Sequence, residues 1–260
     1  MKILFIGDIV GQPGRRVVKE MLPGLRAEFA PDLVLANGEN AAAGFGITPA
    51  LVEELLDLGI AVLTSGNHIW DKKEIFPYLI DHTDGRLLRP GNYPGDSPGN
   101  GLYMGKAGDG SRYAVMNLQG RVFMPSIDCP FRAVDSLLEK IPPEVKIRLL
   151  DFHAEATSEK RAFGWYLDGR VTAVLGTHTH VPTADETVLP GGTAYITDLG
   201  MTGPYDSVIG IEKEPIIRKF INQIPTRFEI AKGDVRLSAV LIEADPATGR
   251  ALAIQRVMRA

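Results

Sequence analysis

Hydrophobic and polar positions alternate in blocks along the first third of the chain, and the blocks predict strands and helices in turn. Lys2 to Ile6 is a short apolar run. Arg15 to Phe29 then carries Val17, Val18, Met21, Leu22, Leu25 and Phe29 at helical spacing. Asp32 to Ala36 reads as a second strand. Thr48 and Pro49 open a helix through Leu58, with Thr48 as N-cap and Pro49 at the first helical position. Ile60 to Thr64 is a third strand, and Asp71 can cap a helix running to Ile80. This rhythm predicts a largely parallel core with helices outside.

The middle of the chain breaks the rhythm. Gly85 to Gly110 holds eight Gly and three Pro, so an irregular excursion is expected there. Arg112 to Leu118 returns to strand, Phe131 to Ile141 to helix and Val145 to Leu150 to strand. Ser158 to Leu167 reads as a helix, and Val171 to Leu175 and Thr193 to Thr197 as strands, with a loop from Asp198 to Gly210. Val235 to Ala244 and Ala251 to Met258 flank turn chemistry at Asp245 to Gly249, which predicts an antiparallel hairpin. No repeat, linker or low-complexity stretch divides the chain. The expectation is one α/β sandwich domain over residues 1–260, with parallel strands early and antiparallel strands late.

Composition narrows the function classes. The chain has 260 residues, 45% of them hydrophobic and 23% charged, which suits a packed core. Lys plus Arg number 28 and Asp plus Glu 32, for a net charge of −4. That balance argues against coating a long nucleic-acid backbone, though not against a small nucleotide. The single Cys129 excludes an intramolecular disulfide and a Cys-rich zinc site. It reads as a small filler rather than a nucleophile. No apolar run has the ~18–20 residues of a membrane span, and Ile3 to Ile6 is too short for a signal peptide. A cytoplasmic protein with no membrane partner is expected.

Polar residues follow the strands at five places. They are Gly7-Asp8, Gly38-Glu39-Asn40, Gly66-Asn67-His68, His153, and Gly176-Thr177-His178-Thr179-His180. Asp8 to Glu39, Glu39 to Asn67 and His153 to His178 are each separated by about one βα unit of ~30 residues. If the strands are parallel neighbours, these ends share one edge, where open α/β sheets bind ligands. Gly7, Gly38, Gly66 and Gly176 are expected to let the backbone turn tightly. Carboxylate, Asn oxygen and imidazole suit divalent first-row metals. Four of the five histidines fall in these sets; His82, before the turn at 83–85, reads as a surface residue.

These strand-end sets resemble the calcineurin-like metallophosphoesterase superfamily. The whole chain resembles its YmdB-like branch of bacterial enzymes, through Phe5 to Gly14, Asn37 to Asn40, Gly164 to Arg170 and Thr197 to Asp206. The resemblance implies a four-layer α/β sandwich with mixed parallel and antiparallel sheets. It also implies two metal ions and phosphodiesterase activity, including on 2′,3′-cyclic nucleotides. Asp8, Asn40 and His180 would hold one ion, and Asn67, His153 and His178 the other, with Glu39 bridging. His68 would face the substrate phosphate and leaving oxygen as the catalytic residue. The sequence departs from the wider superfamily at Val10, where a His ligand is usual, at Glu39, where Asp is usual, and at Ile69, where an acid commonly follows the His. Asn40 would fill the position of the missing His. The branch shares these substitutions. Asp71 is one candidate to orient His68, with a helix N-cap as the favoured alternative.

The expected chemistry is hydrolysis of a small nucleotide phosphodiester by a metal-bound hydroxide. Two divalent ions bring four positive charges, and Asp8 and Glu39 offset two. A hydroxide and a diester monoanion balance the rest, whereas a monoester dianion leaves an excess of negative charge. The ions are expected to be divalent or mixed-valence, with iron or manganese suiting the N/O donors and zinc an alternative. Competing readings are a phosphomonoesterase, an RNA nuclease, or a regulatory protein with a vestigial metal site. Arg15, Arg16, Arg161, Asp198 and Trp70 are further candidates for substrate or supporting contacts. Homo-oligomerisation through the 85–110 excursion and the C-terminal hairpin is a further expectation.

Overall fold

The computed structural model describes residues 1–82 and 85–260. In chain order the elements are β1 (Lys2–Ile6), β2 (Asp8–Ile9), α1 (Gly11–Phe29), β3 (Leu33–Asn37), α2 (Pro49–Asp57), β4 (Val62–Thr64) and α3 (Ile75–Asp81). They continue with β5 (Leu102–Lys106), β6 (Arg112–Gln119), α4 (Pro130–Glu139), β7 (Ile147–His153), α5 (Thr157–Leu167) and β8 (Ala173–Thr177). The last are β9 (Thr187–Val188), β10 (Ala194–Ile196), β11 (Met201–Pro204), α6 (Lys213–Asn222), β12 (Val235–Ala244) and β13 (Ala251–Arg259).

The strands form two mixed sheets. The first runs β2-β11-β12-β1-β3-β4, with β13 paired to β12; the second runs β5-β6-β7-β8-β10-β9. β1, β3 and β4 are parallel, as are β6, β7, β8 and β10. β12 enters the first sheet antiparallel to β1, pairing Lys2 with Glu243 and Ile6 with Ala239. The five strand ends therefore belong to two sheets, not to one row of parallel neighbours.

Side-chain alternation explains why the sheets stack. Ile3, Phe5 and Leu35 point from the first sheet into a shared layer with Val115, Leu149 and Ile196 of the second. The opposite face of the first sheet, through Leu4, Ile6 and Val34, packs on Val18 and Leu22 of α1 and Leu55 of α2. The opposite face of the second, through Met116, Leu150 and Phe152, packs on Val134 of α4 and Phe163 of α5. The result is the four-layer helix–sheet–sheet–helix order. Each fully buried aliphatic or aromatic side chain in these layers contributes about 1.5–3 kcal/mol.

Several boundaries differ from the sequence reading. Helix α1 starts at Gly11, four residues early, because Gly14 lies against β11: a Cβ there would sit 2.3 Å from the Thr202 carbonyl oxygen. Helix α3 begins at Ile75 rather than at Asp71. The glycine-rich excursion contains β5, and the loop after Asp198 contains β11. Helix α6 falls outside every predicted element. Among the described residues, no helix is long and apolar enough to cross a membrane.

Candidate metal centre

The parallel strands of both sheets carry their polar ends to one place. Behind it lies a sealed polar network. Asn37, at the end of β3, donates to Asp151 of β7 at 2.9 Å, and Thr64 of β4 donates to the same carboxylate. Thr177 of β8 donates to the other Asp151 oxygen at 2.6 Å. Every member is fully buried, so these bonds tie the two sheets together beneath the site.

This network sets the histidine tautomers. The Thr177 hydroxyl spends its proton on Asp151, so its oxygen accepts from His153 Nδ1 at 2.8 Å. That leaves the Nε2 lone pair of His153 free to face outward. His153 Nε2 stands 2.9 Å from Glu39 Oε1, 3.2 Å from Asn67 Oδ1 and 3.0 Å from His178 Nδ1. His178 in turn places Nε2 3.1 Å from Glu155, which takes that ring's proton and leaves Nδ1 with its lone pair. His180 Nδ1 donates to the Ile209 carbonyl at 2.9 Å, so its Nε2 pair faces the Asn40 amide at 3.0 Å. A half-turn of that amide would bring its oxygen to the same side.

The histidine pair thus splits. His178 and His180 adopt φ of 101° and 65°, and the left-handed backbone aims the rings at different partners. A buried ion pair holds this strained loop. Lys160 of α5 bonds Asp198 at 2.5 Å and the Thr177 carbonyl at 2.7 Å. Asp198 also accepts from the Thr179 N–H at 3.1 Å. Asp198 therefore sits behind the histidine loop as a support, and Lys160 is a supporting position that the sequence reading did not single out. Its only signal was a lysine where a helix needs an apolar residue.

The donor set fits a divalent ion. Ligand atoms of Glu39, His153 and His178 lie within 4.8 Å of one another. Asp8, fully buried at the β1–β2 junction, has one oxygen with no hydrogen-bond partner among the described residues. That oxygen lies 3.9 Å from His153 Nδ1, and a buried carboxylate oxygen with no hydrogen bond calls for a cation. The electrostatics agree. Burial pushes the Asp8 carboxyl well above its usual range, and Asp198, Glu39 and Asp151 push the same way against His153. Burial opposes charge on His153 too, yet Glu39, Asp8 and Asp151 lift it to about 9, so these carboxylates draw positive charge to its Nε2, a proton or a metal ion alike. Burial opposes ionisation of Glu39, but the charge and hydrogen bond of His153, with His68, hold it at about 2. Burial and the His153 charge push His178 down to about 3.

His68 stands apart from that donor cluster. Its backbone N–H donates to Glu39 Oε2 at 3.1 Å, and its Nδ1 lies 2.8 Å from Asp71 Oδ2. Asp71 therefore orients His68 and does not cap α3. Trp70 packs with Phe76 and Tyr93 against the helical side of the first sheet, not over the site. Arg15 is tied to the Ala41 carbonyl and Glu54, and Arg16 is exposed beside Glu20. Arg161 reaches Asp185 at 3.5 Å and covers the Tyr195 ring. His82 is exposed and stacks on Tyr78. Cys129 is half-buried ahead of α4.

The strand-end glycines act by close approach. None of Gly7, Gly38, Gly66 or Gly176 has positive φ. A Cβ on Gly176 would meet the Thr197 carbonyl oxygen at 1.7 Å, and one on Gly66 would meet His153 Cδ2 at 2.1 Å. Gly66→Ala must displace the His153 ring from between Thr177 and Glu39. The expected result is a roughly 10–100-fold loss of metal affinity, the usual cost of disturbing a ligand's support. Metal titration followed by elemental analysis checks it, and unchanged affinity would place His153 outside the metal set.

Comparison with known proteins agrees with this fold. A family model described as "YmdB-like protein" matches residues 4–257. A Bacillus subtilis (strain 168) protein named 2′,3′-cyclic-nucleotide 2′-phosphodiesterase is 50% identical over 258 residues, covering 99% of this chain and 97% of that one. A crystal structure of a hypothetical protein from Thermus thermophilus superposes with a TM-score of 0.92 at 44% identity, covering 100% of this chain and 99% of that one. A Mycoplasma pneumoniae structure described as a novel phosphatase gives 0.92 at 35% identity, covering 100% and 93%. With its strand-end donors, stacked sheets and near full-length match, the chain belongs to the YmdB-like family.

Proposed function

We propose that the chain is a dinuclear metal-dependent phosphodiesterase that hydrolyses small nucleotide diesters, 2′,3′-cyclic nucleotides above all. The observation that carries this reading is the convergence of His153 Nε2, His178 Nδ1 and Glu39 Oε1, with a buried Asp8 oxygen that makes no hydrogen bond among the described residues behind the same histidine. The similar Bacillus subtilis protein, named for that activity, supports the substrate class. Asp8, Asn40 and His180 form one set of donors; Asn67, His153 and His178 form the other; Glu39 lies between them. Iron or manganese suits these donors, and zinc is the alternative. Residues 1–260 act as one domain in this reading, because β12 closes the sheet that β1 begins.

Bound divalent ions would make a hydroxide available near neutral pH and offset charge on the phosphoryl oxygens. The chain's residues supply the geometry. The left-handed backbone at His178 and His180 separates the two donor sets. Glu39 holds the His68 backbone N–H, so the catalytic loop and the metal donors move as one unit. Asp71 fixes His68 Nδ1 and leaves Nε2 to deliver a proton to the leaving oxygen. His68 lines the cavity over the centre.

Charge selects diesters over monoesters. Lys219 is the one Lys or Arg among the described residues lining this cavity, so among them no cluster of fixed cations awaits a dianion. Matched aryl diester and monoester substrates at equal pH should show higher kcat/KM for the diester. A tenfold preference for the monoester would reverse the assignment. Elemental analysis should find two ions per chain, and saturation at one would overturn the dinuclear reading.

A further inference from the structure

The cavity that opens from the candidate centre is larger than a phosphodiester group needs. It encloses about 660 Å³, with Glu39, Asn40, His68, His178 and His180 at one end. That size lies in the range of roughly 300–1,000 Å³ of sites that hold whole small molecules. The rest of the lining is largely apolar, with Phe45, Ile209, Ile216, Phe220 and Phe228. The last four come from the segment ahead of α6, from α6 itself and from the chain that follows it.

Such a wall does nothing for a phosphoryl group, which needs cations and hydrogen-bond donors. It suits whatever is joined to the phosphorus. Phe220 is 75% exposed and Ile209 51% exposed, although both border the cavity. Leaving apolar rings in water at a cavity mouth is unfavourable unless a ligand covers them. Lys219 holds Phe228 in place, with its ammonium 4.7 Å over that ring. Phe45 is steadied by His68, edge to face at 5.1 Å, so this aromatic wall begins at the catalytic loop. Gln223 is the one side-chain amide on the α6 side of the cavity.

We propose that this apolar wall, led by Phe220 and Phe228, is the subsite for the base of a cyclic nucleotide, and that it accepts all four bases. The inference rests on the phosphodiesterase reading above. Every base has a π-face, so aromatic stacking grips without reading identity. Discrimination between bases requires several fixed donors and acceptors matched to base edges, and this wall adds to its Phe and Ile only the Gln223 amide and the Lys219 ammonium, which stands over Phe228. Binding energy from this remote wall would orient the diester over the donors.

The test compares the four 2′,3′-cyclic nucleotides with ethylene phosphate, the same five-membered cyclic diester without a nucleoside. Wild-type protein should hydrolyse the four nucleotides within about tenfold of one another and prefer them to ethylene phosphate. Phe220→Ala should reduce that preference roughly 5- to 150-fold, the worth of one base–aromatic stack, chiefly through KM. Phe220 is exposed, so its loss should leave folding intact, and Phe220→Tyr should restore the preference. Phe228→Ala should act in the same direction. An unchanged preference in both alanine variants overturns the subsite. So does an equal loss on nucleotide and ethylene phosphate, or a hundredfold wild-type preference for one base. Wild-type protein that binds metal and hydrolyses neither diester overturns the phosphodiesterase reading and this inference with it.

Discussion

Glu39→Gln should cost on the order of 10³-fold in kcat/KM and reduce metal content below two ions per chain. The substitution keeps the shape of the side chain and removes its charge. Glu39 Oε1 faces His153 Nε2 at 2.9 Å and the Asn40 amide at 3.3 Å, and Oε2 accepts from the His68 N–H at 3.1 Å. The carboxylate gives acceptor pairs to the His68 N–H and the Asn40 amide and turns its remaining negative charge toward the donor cluster. A carboxamide has one oxygen, so its NH₂ group must face either the His68 N–H or the cluster of ring and amide nitrogens. One donor set therefore loses its anionic neighbour, or the catalytic loop loses its tether. The magnitude follows from the several kcal/mol that metal ions supply to charge stabilisation in such reactions. Elemental analysis and kcat/KM on a cyclic nucleotide, with a thermal melt to confirm folding, check it together. Two ions at wild-type affinity with activity within tenfold of wild type would remove Glu39 from the space between the donor sets.

The positions of the proposed donors were legible because each stands just after an apolar run, where a parallel strand must end. Glycine before the polar residue strengthened that signal at Asp8, Glu39 and Asn67. Its physical reason was not legible. Gly66 reads locally as a turn residue, yet its constraint comes from His153, 87 residues away, whose ring leaves no room for a Cβ. Long-range pairing was hidden in the same way. Nothing near Lys2 announces Glu243 as its partner, so the division of the strand ends between two sheets could not be read from periodicity. The support beneath the histidine loop was equally distant: Lys160 and Asp198 are 38 residues apart and each is 1% exposed. Helix α6 did carry a local signal, with Ile216, Ile217, Phe220 and Ile221 at helical spacing. Only Ile216 of these is buried. The exposed three make the stretch look like an apolar segment without a core to join. Asp71 was ambiguous for a local reason. An acid three residues after His68 serves equally as a helix cap or as a ring partner, and only the start of α3 at Ile75 decides between them.

His68→Ala should retain both metal ions and lose about 10²–10⁴ in kcat, the range typical of a positioned general acid. The reason for retained metal is specific. His68 contacts Glu39 through its backbone N–H, and alanine keeps that group. The imidazole itself touches Asp71 and, edge on, Phe45, and neither belongs to the donor cluster. Truncation therefore removes the proton-delivering ring while leaving the donors in place. His178→Ala should behave in the opposite order, losing metal first and activity as a consequence, because its Nδ1 faces the His153 and Glu39 cluster. Asp71→Asn should fall between wild type and His68→Ala, since an amide can still bond Nδ1 but no longer stabilises positive charge on the ring. The leaving group decides whether the effect is visible. An aryl oxygen departs without protonation and would mask the loss, whereas the ribose oxygen of a cyclic nucleotide needs the proton. The decisive measurement pairs metal content with kcat on a 2′,3′-cyclic nucleotide, and repeats kcat on an activated aryl diester. The deficit should shrink on the aryl substrate. Full metal with near wild-type kcat on the cyclic nucleotide would take His68 out of the mechanism, and loss of an ion would instead make it part of the donor set.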